Sequence, residues 1–321
     1  MRKLLKKILS LIFSDKLNKI LGLRNSEFKK KLLKVSNFFT KFPWWEKEIK
    51  NWINIFLIYF NIQKKSNIIF NSGFIFKDCT KKSLFALERC IKIFDANYQL
   101  KTTNQGIQLN INGVFINYSN FIEGIGLIYE IFILDVYGKY NFKNKIVMDI
   151  GGYVGDTAIY FISKGAKKVY VYEINRLIYQ LLEYNIKQNK LEEKLIANNF
   201  GVGKERMKTD FYVVPHISSS SMHLTEKDKK KGKRISATIF PLDEILKEPI
   251  DILKLDCEGS EYSILENIIE KGLSDKIREG IILETHYVDE KRNSNYIIEL
   301  LKEIGFTKIY SYSEYMMYCK K

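Results

Sequence analysis

Six ionisable side chains in the second half of the chain lie at or just after the ends of predicted strands. They are Asp149, Glu173, Asp256, Glu258, Glu284 and His286. In an open α/β sheet, ligands bind outside the carboxyl ends of the strands, so we expect these side chains to meet at one rim. Carboxylates and an imidazole in one place could bind hydroxyl groups, accept a proton or hold a divalent cation.

The segment 145–173 has the pattern of a strand, a glycine turn, a helix and a second strand. The apolar run 146–150 is typical of a strand buried on both faces. The turn G-G-Y-V-G (151–155) lets the backbone bend tightly and lets a ligand approach the main chain. Glu173 ends the second strand, where an acid can accept hydrogen bonds from both hydroxyls of a ribose. The segment therefore predicts a site for an adenosine-containing cofactor.

The chemistry of the turn favours S-adenosyl-L-methionine over a dinucleotide. The dinucleotide fingerprint is G-x-G-x-x-G, whereas this turn reads G-G-x-x-G. Asp149 precedes the first glycine by two residues and would repel a pyrophosphate, but it suits a cofactor with an ammonium group and a sulfonium. A crossover that uses glycine only for packing is the alternative, and the joint presence of the turn and Glu173 argues against it.

Ten residues are predicted to bind this cofactor: Asp149, Gly151, Gly152, Tyr153, Gly155, Asp156, Thr157, Glu173, Asn199 and Asp256. Either Asp156 or Thr157 also suits the N-cap of the following helix. Asn199 is included because a polar residue after the third strand could bind the adenine edge, although asparagine there is equally typical of a turn.

The resemblance to a known family rests on two motifs and a strand end: D-I-G-G-Y-V-G-D-T (149–157), Glu173, and L-K-L-D-C-E-G-S-E (253–261). These resemble the FkbM-type family of S-adenosylmethionine-dependent methyltransferases. The segments F-P-L-D-E-I-L (240–246) and I-L-E-T-H (282–286) also fit that family.

This resemblance covers roughly residues 120–321. It implies a Rossmann-like class I methyltransferase fold, with a mostly parallel seven-stranded sheet and helices on both faces. Here that fold is preceded by a helical N-terminal region. One departure is Gly152, where alanine is commoner in the family, and we expect so small a change to be conservative.

Three residues near the fourth and fifth strands are candidates for the general base: Glu258, Glu261 and His286. Methyl transfer to a hydroxyl needs the acceptor oxygen in line with the methyl group and a group that takes the proton. His286 is attractive because histidine titrates near neutral pH. As alternatives, Glu261 complements a helix dipole, His286 is a hydrogen-bonded core residue, and Asp256 only orients the donor or caps the next helix.

A metal is the other hypothesis for the same rim. Asp256, Glu258, Glu284 and His286 could hold a divalent cation that lowers the pKa of the acceptor hydroxyl. Oxygen ligands suit Mg²⁺ or Mn²⁺, and a histidine favours Mn²⁺. The sequence leaves this metal open.

The composition limits the kinds of partner and the cellular compartment that we expect for this protein. The 321-residue chain has a net charge of +15 and a pI near 9.3, which indicates either an anionic partner or a solvated basic surface. Its four cysteines have no C-x-x-C spacing, which argues against a zinc site and a disulfide framework and fits a reducing compartment. No apolar run reaches about 18 residues and no signal-peptide cleavage pattern occurs, so we expect a cytoplasmic protein without a spanning helix.

We predict two domains: a helical N-terminal region of unknown role at residues 1–100 and a methyltransferase domain at residues 101–321. Residues 1–21 have the spacing of a basic amphipathic helix, which could lie on the inner face of the membrane or pack on its own domain. The aromatic stretch 38–45 and the helical spacing within 26–65 indicate core packing more than base stacking.

Other local patterns predict elements around the cofactor segment. Asn112-Gly113 between alternating segments predicts a hairpin over 107–118, and a helix is expected over 122–137. The basic loop 218–234 could be a lid, a clamp on an acidic substrate, or a solvated surface loop.

We therefore expect an S-adenosylmethionine-dependent methyltransferase that methylates an oxygen, with a small molecule or glycan as acceptor. An RNA methyltransferase is the alternative that the charge suggests, but D-C-E-G (256–259) would be a poor surface for a polyanion. A nicotinamide-dependent oxidoreductase is disfavoured by the glycine spacing, and a non-catalytic protein with this fold by the intact acids. The acceptor and the oligomeric state do not follow from the sequence.

Overall fold

The computed structural model describes residues 45–104, 106–213, 233–313 and 315–321. Within these ranges no helix is long and apolar enough to cross a membrane. The predicted helix at 1–21 lies outside the described residues, as do most of the aromatic stretch and most of the basic loop.

The chain divides into two compact units between residues 91 and 92. The domain boundary after residue 100 stays a prediction. In the first unit, helices α1 (Trp45–Glu48) and α2 (Ile53–Tyr59) precede an antiparallel pair, β1 (Lys65–Ile69) and β2 (Ile75–Thr80). A 3₁₀ turn (Lys81–Ser83) then leads into α3 (Leu84–Asp95).

One detail of the first unit differs from the sequence prediction. The predicted helix within 26–65 ends early, because Asn61 has a left-handed backbone (φ 59°) and Lys65 begins β1.

The second unit begins with a small antiparallel sheet and a helix. Its strands are β3 (Gln99–Thr102), β4 (Ile107–Ile111) and β5 (Val114–Tyr118). The hairpin between β4 and β5 is confirmed, with φ values of 50° and 89° at Asn112 and Gly113. Helix α4 (Phe121–Ile128) follows and continues as a π-helix (Tyr129–Ile133) where a longer α-helix was expected.

A seven-stranded sheet forms the centre of the second unit. Its strands are β6 (Ile146–Ile150), β7 (Lys168–Tyr172), β8 (Leu195–Asn198), β12 (Ile250–Leu255), β13 (Ile277–Glu284), β14 (Lys308–Ser311) and β15 (Met316–Lys320). Their order is β14-β15-β13-β12-β6-β7-β8. Strand β15 runs antiparallel to both of its neighbours, β13 and β14, and the other neighbouring strands of this sheet pair in parallel.

The predicted mostly parallel sheet with helices on both faces is thus confirmed. The covering helices are α5 (Asp156–Ser163), α6 (Arg176–Gln188), α7 (Leu242–Ile245), α8 (Glu261–Glu270) and α9 (Ser294–Ile304). All six residues of β12 are buried, as is usual for a parallel strand with both faces covered. A second small sheet contains β9 (Gly201–Gly203), β10 (Met207–Val213) and β11 (Lys233–Pro241).

Helix α6 pairs with the free edge of β5 through asparagine side chains. Asn185 is fully buried and exchanges hydrogen bonds with the backbone N–H (2.9 Å) and carbonyl (3.1 Å) of Asn117, and it also donates to the Val154 carbonyl at 2.9 Å. One turn later, Asn189 makes the same two bonds to the backbone of Phe115. Because alternate residues of a strand face one neighbour, two amides spaced i, i+4 satisfy this edge in place of a strand.

We predict that Asn185→Ala lowers the free energy of unfolding by about 2–4 kcal/mol, because several buried backbone groups lose their partners. Chemical denaturation of the whole chain measures this loss. Asn141→Ala is the matched control, since Asn141 is exposed and bonds only locally to Lys143, and it should change stability by less than about 0.5 kcal/mol. Equal effects of the two substitutions would contradict the role given to Asn185.

Candidate functional site

A cavity of about 330 Å³ opens at the carboxyl ends of β6, β7, β12 and β13. Eight of the predicted site residues line it: Gly151, Tyr153, Asp156, Thr157, Glu173, Asp256, Glu258 and His286. Five others do not: Asp149, Gly152, Gly155, Asn199 and Glu261. Most of the predicted site residues therefore lie together at the cavity. The other five lie behind its wall or beside it.

At Gly151 the backbone of the glycine turn lies so close to the backbone of Asp256 that no side chain fits between them. Its φ is +82°, and a Cβ atom there would lie 1.7 Å from the backbone oxygen of Asp256. The N–H groups of Gly151 and Gly152 both donate to the Tyr172 carbonyl at 3.0 Å. The turn after β6 is thus fixed between the ends of β12 and β7.

Gly152 is less replaceable than its size suggests. A Cβ atom at this position would lie 2.0 Å from Cγ2 of Val171, whose side chain fills the space that an alanine methyl would need. An alanine at this position would require the Val171 side chain to shift. Gly155, with φ +85°, lies at the N-cap of α5.

A buried ion pair lies beneath the turn. Lys254 Nζ is 3.0 Å from Asp149 Oδ1 and donates to the Gly151 carbonyl at 2.7 Å. The other oxygen of Asp149 accepts a hydrogen bond from Thr157 Oγ1 at 2.5 Å. Asp149 and Lys254 are 0% and 1% exposed, so Asp149 supports the turn and does not face the cavity.

Lys254 remains protonated in this position. Burial by itself would lower its pKa, but the carboxylates of Asp149 and Asp256 raise it well above the ordinary value. The Lys254 ammonium is 3.5 Å from Asp256, which follows it by two residues and lines the cavity. One cation therefore joins the ends of β6 and β12.

Glu173 lies at the end of β7 and faces the turn. One of its carboxylate oxygens accepts from the backbone N–H of Tyr153 at 3.1 Å, and the other from that of Asn175 at 2.7 Å. Burial raises the pKa of Glu173 to about 7 despite these bonds. The carboxylate is held rigidly at the cavity wall and keeps lone pairs that can accept further hydrogen bonds.

Asp156 contributes a second buried carboxyl group to the same wall. Its Oδ1 accepts from the backbone N–H of Thr157 at 2.9 Å. Burial raises the pKa of Asp156 to about 7, and a hydrogen bond from the Tyr118 hydroxyl opposes this rise. Asp156 also lines the cavity.

Asn199 has a different position from the one expected. Its side-chain amide donates to the Glu173 carbonyl at 2.8 Å and to the Ile174 carbonyl at 3.4 Å, and it does not line the cavity. The adjacent residue, Phe200, lines the cavity instead. The Asn199 side chain thus fixes the loop after β7.

Glu261 holds the loop after β12. It is fully buried, and its two oxygens accept from the backbone N–H groups of Cys257 and Gly259, both at 2.8 Å. Oε1 also lies 2.9 Å from Nδ1 of His286. Because both oxygens are occupied away from the cavity, Glu261 is not placed to take a proton from a substrate.

His286 lies among three carboxylates. Its Nε2 is 3.7 Å from Glu258 and 3.9 Å from Asp256, while Nδ1 bonds Glu261. Burial by itself would lower the pKa of His286, but the bond to Glu261 and the negative charges of Glu258 and Asp256 raise it to about 9. The imidazole is therefore protonated at neutral pH, which removes the reason for expecting it to act as the base.

The described residues present no group of three or more His, Cys, Asp or Glu side chains arranged to hold a metal ion. The hypothetical ligands Asp256, Glu258, Glu284 and His286 all line the cavity. Nδ1 of His286 bonds Glu261, and its Nε2 lies near Asp256 and Glu258. A divalent cation at this rim stays a hypothesis.

Several cavity residues were not among the predicted site residues. They are Lys254, Glu284, Glu123, Glu130 and Tyr137. Lys254 stands inside the motif L-K-L-D, where a charged residue within an apolar strand could have indicated a buried partner. Glu284 was expected at the rim, but it was named individually only as a possible metal ligand. Glu123 and Glu130 come from α4 and the π-helix, and nothing in their sequence points to the sheet.

The cavity is acidic although the chain is basic. Seven of its lining residues carry a carboxyl group, and only Lys254 and His286 carry a cationic one. The net charge of the whole chain is +15. The site is therefore suited to a cationic or polyhydroxylated ligand and unsuited to a polyanion.

The sheet order and the glycine turn define a Rossmann-like methyltransferase fold. Residues 149–308 match the model of the methyltransferase FkbM domain. Residues 149–308 thus form a domain of the FkbM methyltransferase family.

Solved structures with similarity to the chain include methyltransferase FkbM from Methylobacillus flagellatus KT, at 13% identity and a TM-score of 0.40, over 62% of this chain and 54% of that one. The chain thus spans about half the length of that protein. A ribosomal protein L11 methylase from Lactobacillus delbrueckii subsp. bulgaricus aligns at 15% identity and a TM-score of 0.36, over 59% and 75% of the two chains. A precorrin-6y C5,15-methyltransferase from Geobacter metallireducens GS-15 aligns at 11% identity and a TM-score of 0.36, over 60% and 89%. No curated protein matches the chain.

We predict that Lys254→Met lowers the free energy of unfolding by about 3–5 kcal/mol, because it leaves Asp149 as an uncompensated buried charge. The double variant Asp149→Asn/Lys254→Met should recover a large part of this loss, since the unpaired charge is then absent. Denaturant unfolding compares both with Lys167→Met, which replaces an exposed lysine. If the double variant were as unstable as the sum of its single changes, the two residues would not be coupled.

The raised pKa of His286 also makes stability depend on pH. Its protonated form stabilises the fold fully below the unfolded value of 6.5, and this contribution is lost as the pH rises through about 9. The stability advantage of the wild type over His286→Gln should thus fall by about 3 kcal/mol between pH 6 and pH 9.5. Unfolding measured at both pH values tests this, and an advantage that grows with pH would show the opposite shift.

Proposed function

We propose that this domain transfers a methyl group from S-adenosylmethionine to a hydroxyl oxygen of a sugar or another small polyhydroxylated molecule. The observation that carries the proposal is the Glu173 carboxylate, which is held at the end of β7 and faces the Gly151 turn. An acid at this place in a Rossmann-like fold can accept hydrogen bonds from ribose hydroxyls.

The residues of the cavity fit the proposed donor along its length. Glu173 would receive the ribose hydroxyls, and the missing side chain at Gly151 leaves the backbone open to the ligand. Ile174, Ile178 and Phe200 line the cavity and supply apolar surface for the adenine. When bound, S-adenosylmethionine supplies an electrophilic methyl group on a positively charged sulfur.

Asp156, and not Asp149, would bind the ammonium group of the donor. From the sequence we expected Asp149 to have this role, but Asp149 pairs with Lys254 and Thr157 beneath the turn. Asp156, in contrast, lines the cavity. The ammonium group of the donor would thus contact Asp156, the second acidic residue of the motif 149–157, and not Asp149.

The acceptor end of the cavity favours a neutral hydroxyl compound. Glu130, Asp256, Glu258 and Glu284 line this end, and carboxylates accept hydrogen bonds from hydroxyl groups. The same charges disfavour RNA, whose phosphates would be repelled, and a dinucleotide, whose pyrophosphate would approach Asp156 and Glu173. A contact of residues 1–21 with an anionic membrane remains a further part of the proposal, supported by their lysine spacing alone.

Glu173→Gln should weaken the binding of S-adenosylmethionine about 10- to 100-fold, because hydrogen bonds from ribose hydroxyls to a charged acceptor are lost. Titration calorimetry with the donor and with S-adenosylhomocysteine measures this effect. Glu192→Gln, which removes an exposed carboxylate, is the control and should bind as the wild type does.

The same titrations with NAD⁺ and with a short RNA separate the rival functions. The proposal expects neither to bind in the cavity. Tight NAD⁺ binding that Glu173→Gln abolishes would replace the methyltransferase proposal with an oxidoreductase, and undiminished donor binding in Glu173→Gln would remove the observation on which the proposal rests.

A further inference from the structure

The methionine part of the proposed donor carries two opposite charges, an ammonium group and a carboxylate. This inference rests on the proposed function, which gives the ammonium group to Asp156 and leaves the carboxylate unassigned. Seven carboxyl side chains line the cavity and would repel that carboxylate. Since both charged groups are attached to one carbon atom, the site needs a hydrogen-bond donor that lies near Asp156 and is free to bind a ligand.

The cationic side chains of the cavity are already paired with carboxylates of the protein. The Lys254 ammonium lies 3.0 Å from Asp149 and also donates to a backbone carbonyl. His286 bonds Glu261 through Nδ1. The Thr157 hydroxyl is committed in the same way, because it donates to Asp149 at 2.5 Å. None of these groups is free to bind the donor carboxylate.

Three further hydroxyl groups of the cavity belong to Tyr153, Tyr172 and Ser260. The Tyr153 hydroxyl faces Glu123 on α4. The Tyr172 ring packs on Phe200, with ring centroids 5.3 Å apart, at the end of the cavity proposed for the adenine. Ser260 precedes α8 and lies at the end proposed for the acceptor. These hydroxyls are therefore engaged or lie at the other ends of the donor.

Tyr137 lies in the turn that follows the π-helix, and this turn is fixed on α5. The Asp135 carboxylate of the turn accepts a hydrogen bond from the Tyr160 hydroxyl at 2.6 Å. The Tyr137 ring packs on the same helix, with its centroid 5.9 Å from that of Tyr160 and 5.5 Å from that of Phe161. The backbone and the ring of Tyr137 thus have one support, helix α5.

This support places Tyr137 beside Asp156. Asp156 and Tyr160 are four residues apart on α5, so their side chains lie on the same face of the helix. The charge of Asp156 acts on the Tyr137 hydroxyl, which agrees with this placement. Tyr137 is 4% exposed and lines the cavity. Its hydroxyl has no hydrogen-bond partner among the residues that the structure describes, so the O–H can donate to a ligand.

We propose that the Tyr137 hydroxyl binds the carboxylate in the methionine part of the donor. A phenol is uncharged, so it can donate to an anion in this cavity without forming an ion pair with the neighbouring protein carboxylates, as a lysine would. Asp156 and Tyr137, both held on α5, would then bind the two charged groups of one carbon atom. Together they would fix the orientation of the methionine part and hence the direction of the methyl group on sulfur.

Decarboxylated S-adenosylmethionine tests the assignment, because it keeps the adenosine, the sulfonium and the ammonium group and lacks only the carboxylate. In Tyr137→Phe, which removes one hydroxyl and keeps the ring, titration calorimetry should show about 10-fold weaker binding of S-adenosylmethionine and of S-adenosylhomocysteine. The decarboxylated ligand should bind within about twofold of its affinity for the wild type, which also shows that the variant is folded.

Tyr172→Phe is the matched control, because it removes a hydroxyl from another buried tyrosine of the same cavity. It should leave the ratio of the affinities for the carboxylated and decarboxylated donors unchanged. Equal weakening of all three ligands in Tyr137→Phe would show that Tyr137 only shapes the cavity, and unchanged binding would show that its hydroxyl does not contact the donor. Either result would overturn the proposal, as would an equal change of the ratio in both variants. Failure of the wild type to bind any of the three ligands would instead count against the proposed function itself.

Discussion

The candidate site depends on the buried ion pair between Lys254 and Asp149. A lone carboxylate at the centre of a parallel sheet would be strongly destabilising, and the Lys254 ammonium compensates it while also binding the Gly151 carbonyl. The glycine turn, held in this way, directs the backbone N–H of Tyr153 at the Glu173 carboxylate. Through Thr157, Asp149 also holds the first turn of α5. One pair of charges thus sets the backbone that the proposed cofactor would contact.

The acidity of the cavity has an electrostatic consequence that a single carboxylate would not have. Asp156, Glu173 and Glu284 are each shifted to a pKa of about 7, with burial as the largest cause. Such groups are partly protonated near neutral pH, and a cationic ligand would drive them toward the ionised form. Such a cavity favours cationic ligands. The positive charge of the ligand would stabilise ionised carboxylates whose negative charge the protein's own cations do not fully balance. The basic exterior of the chain and the acidic interior of the cavity are therefore separate properties.

Much of the fold follows from local sequence, and the site only in part. The apolar runs of β6 and β12, the Asn112-Gly113 hairpin and the glycine turn are local patterns, and each was predicted. The role of Asp149 was misjudged because its partner, Lys254, is more than a hundred residues away and is brought opposite it only by strand pairing. The misfit of alanine at position 152 depends likewise on Val171, on the neighbouring strand. Residue type shows which groups could do chemistry, but burial and long-range partners determine which of them face the ligand.

The loop after β12 shows how the acceptor end is shaped before any substrate binds. Glu258 and Gly259 both have left-handed backbones, with φ values of 55° and 103°, and such a conformation is unfavourable for a glutamate. It persists because the Glu261 carboxylate binds the N–H groups on either side of Glu258 and leaves the loop little freedom to relax. The same carboxylate bonds His286 and raises its pKa, so the shape of the loop and the placement of its cation have one cause. Glu261 therefore acts through its neighbours, because it fixes both the loop after β12 and the imidazole beside that loop.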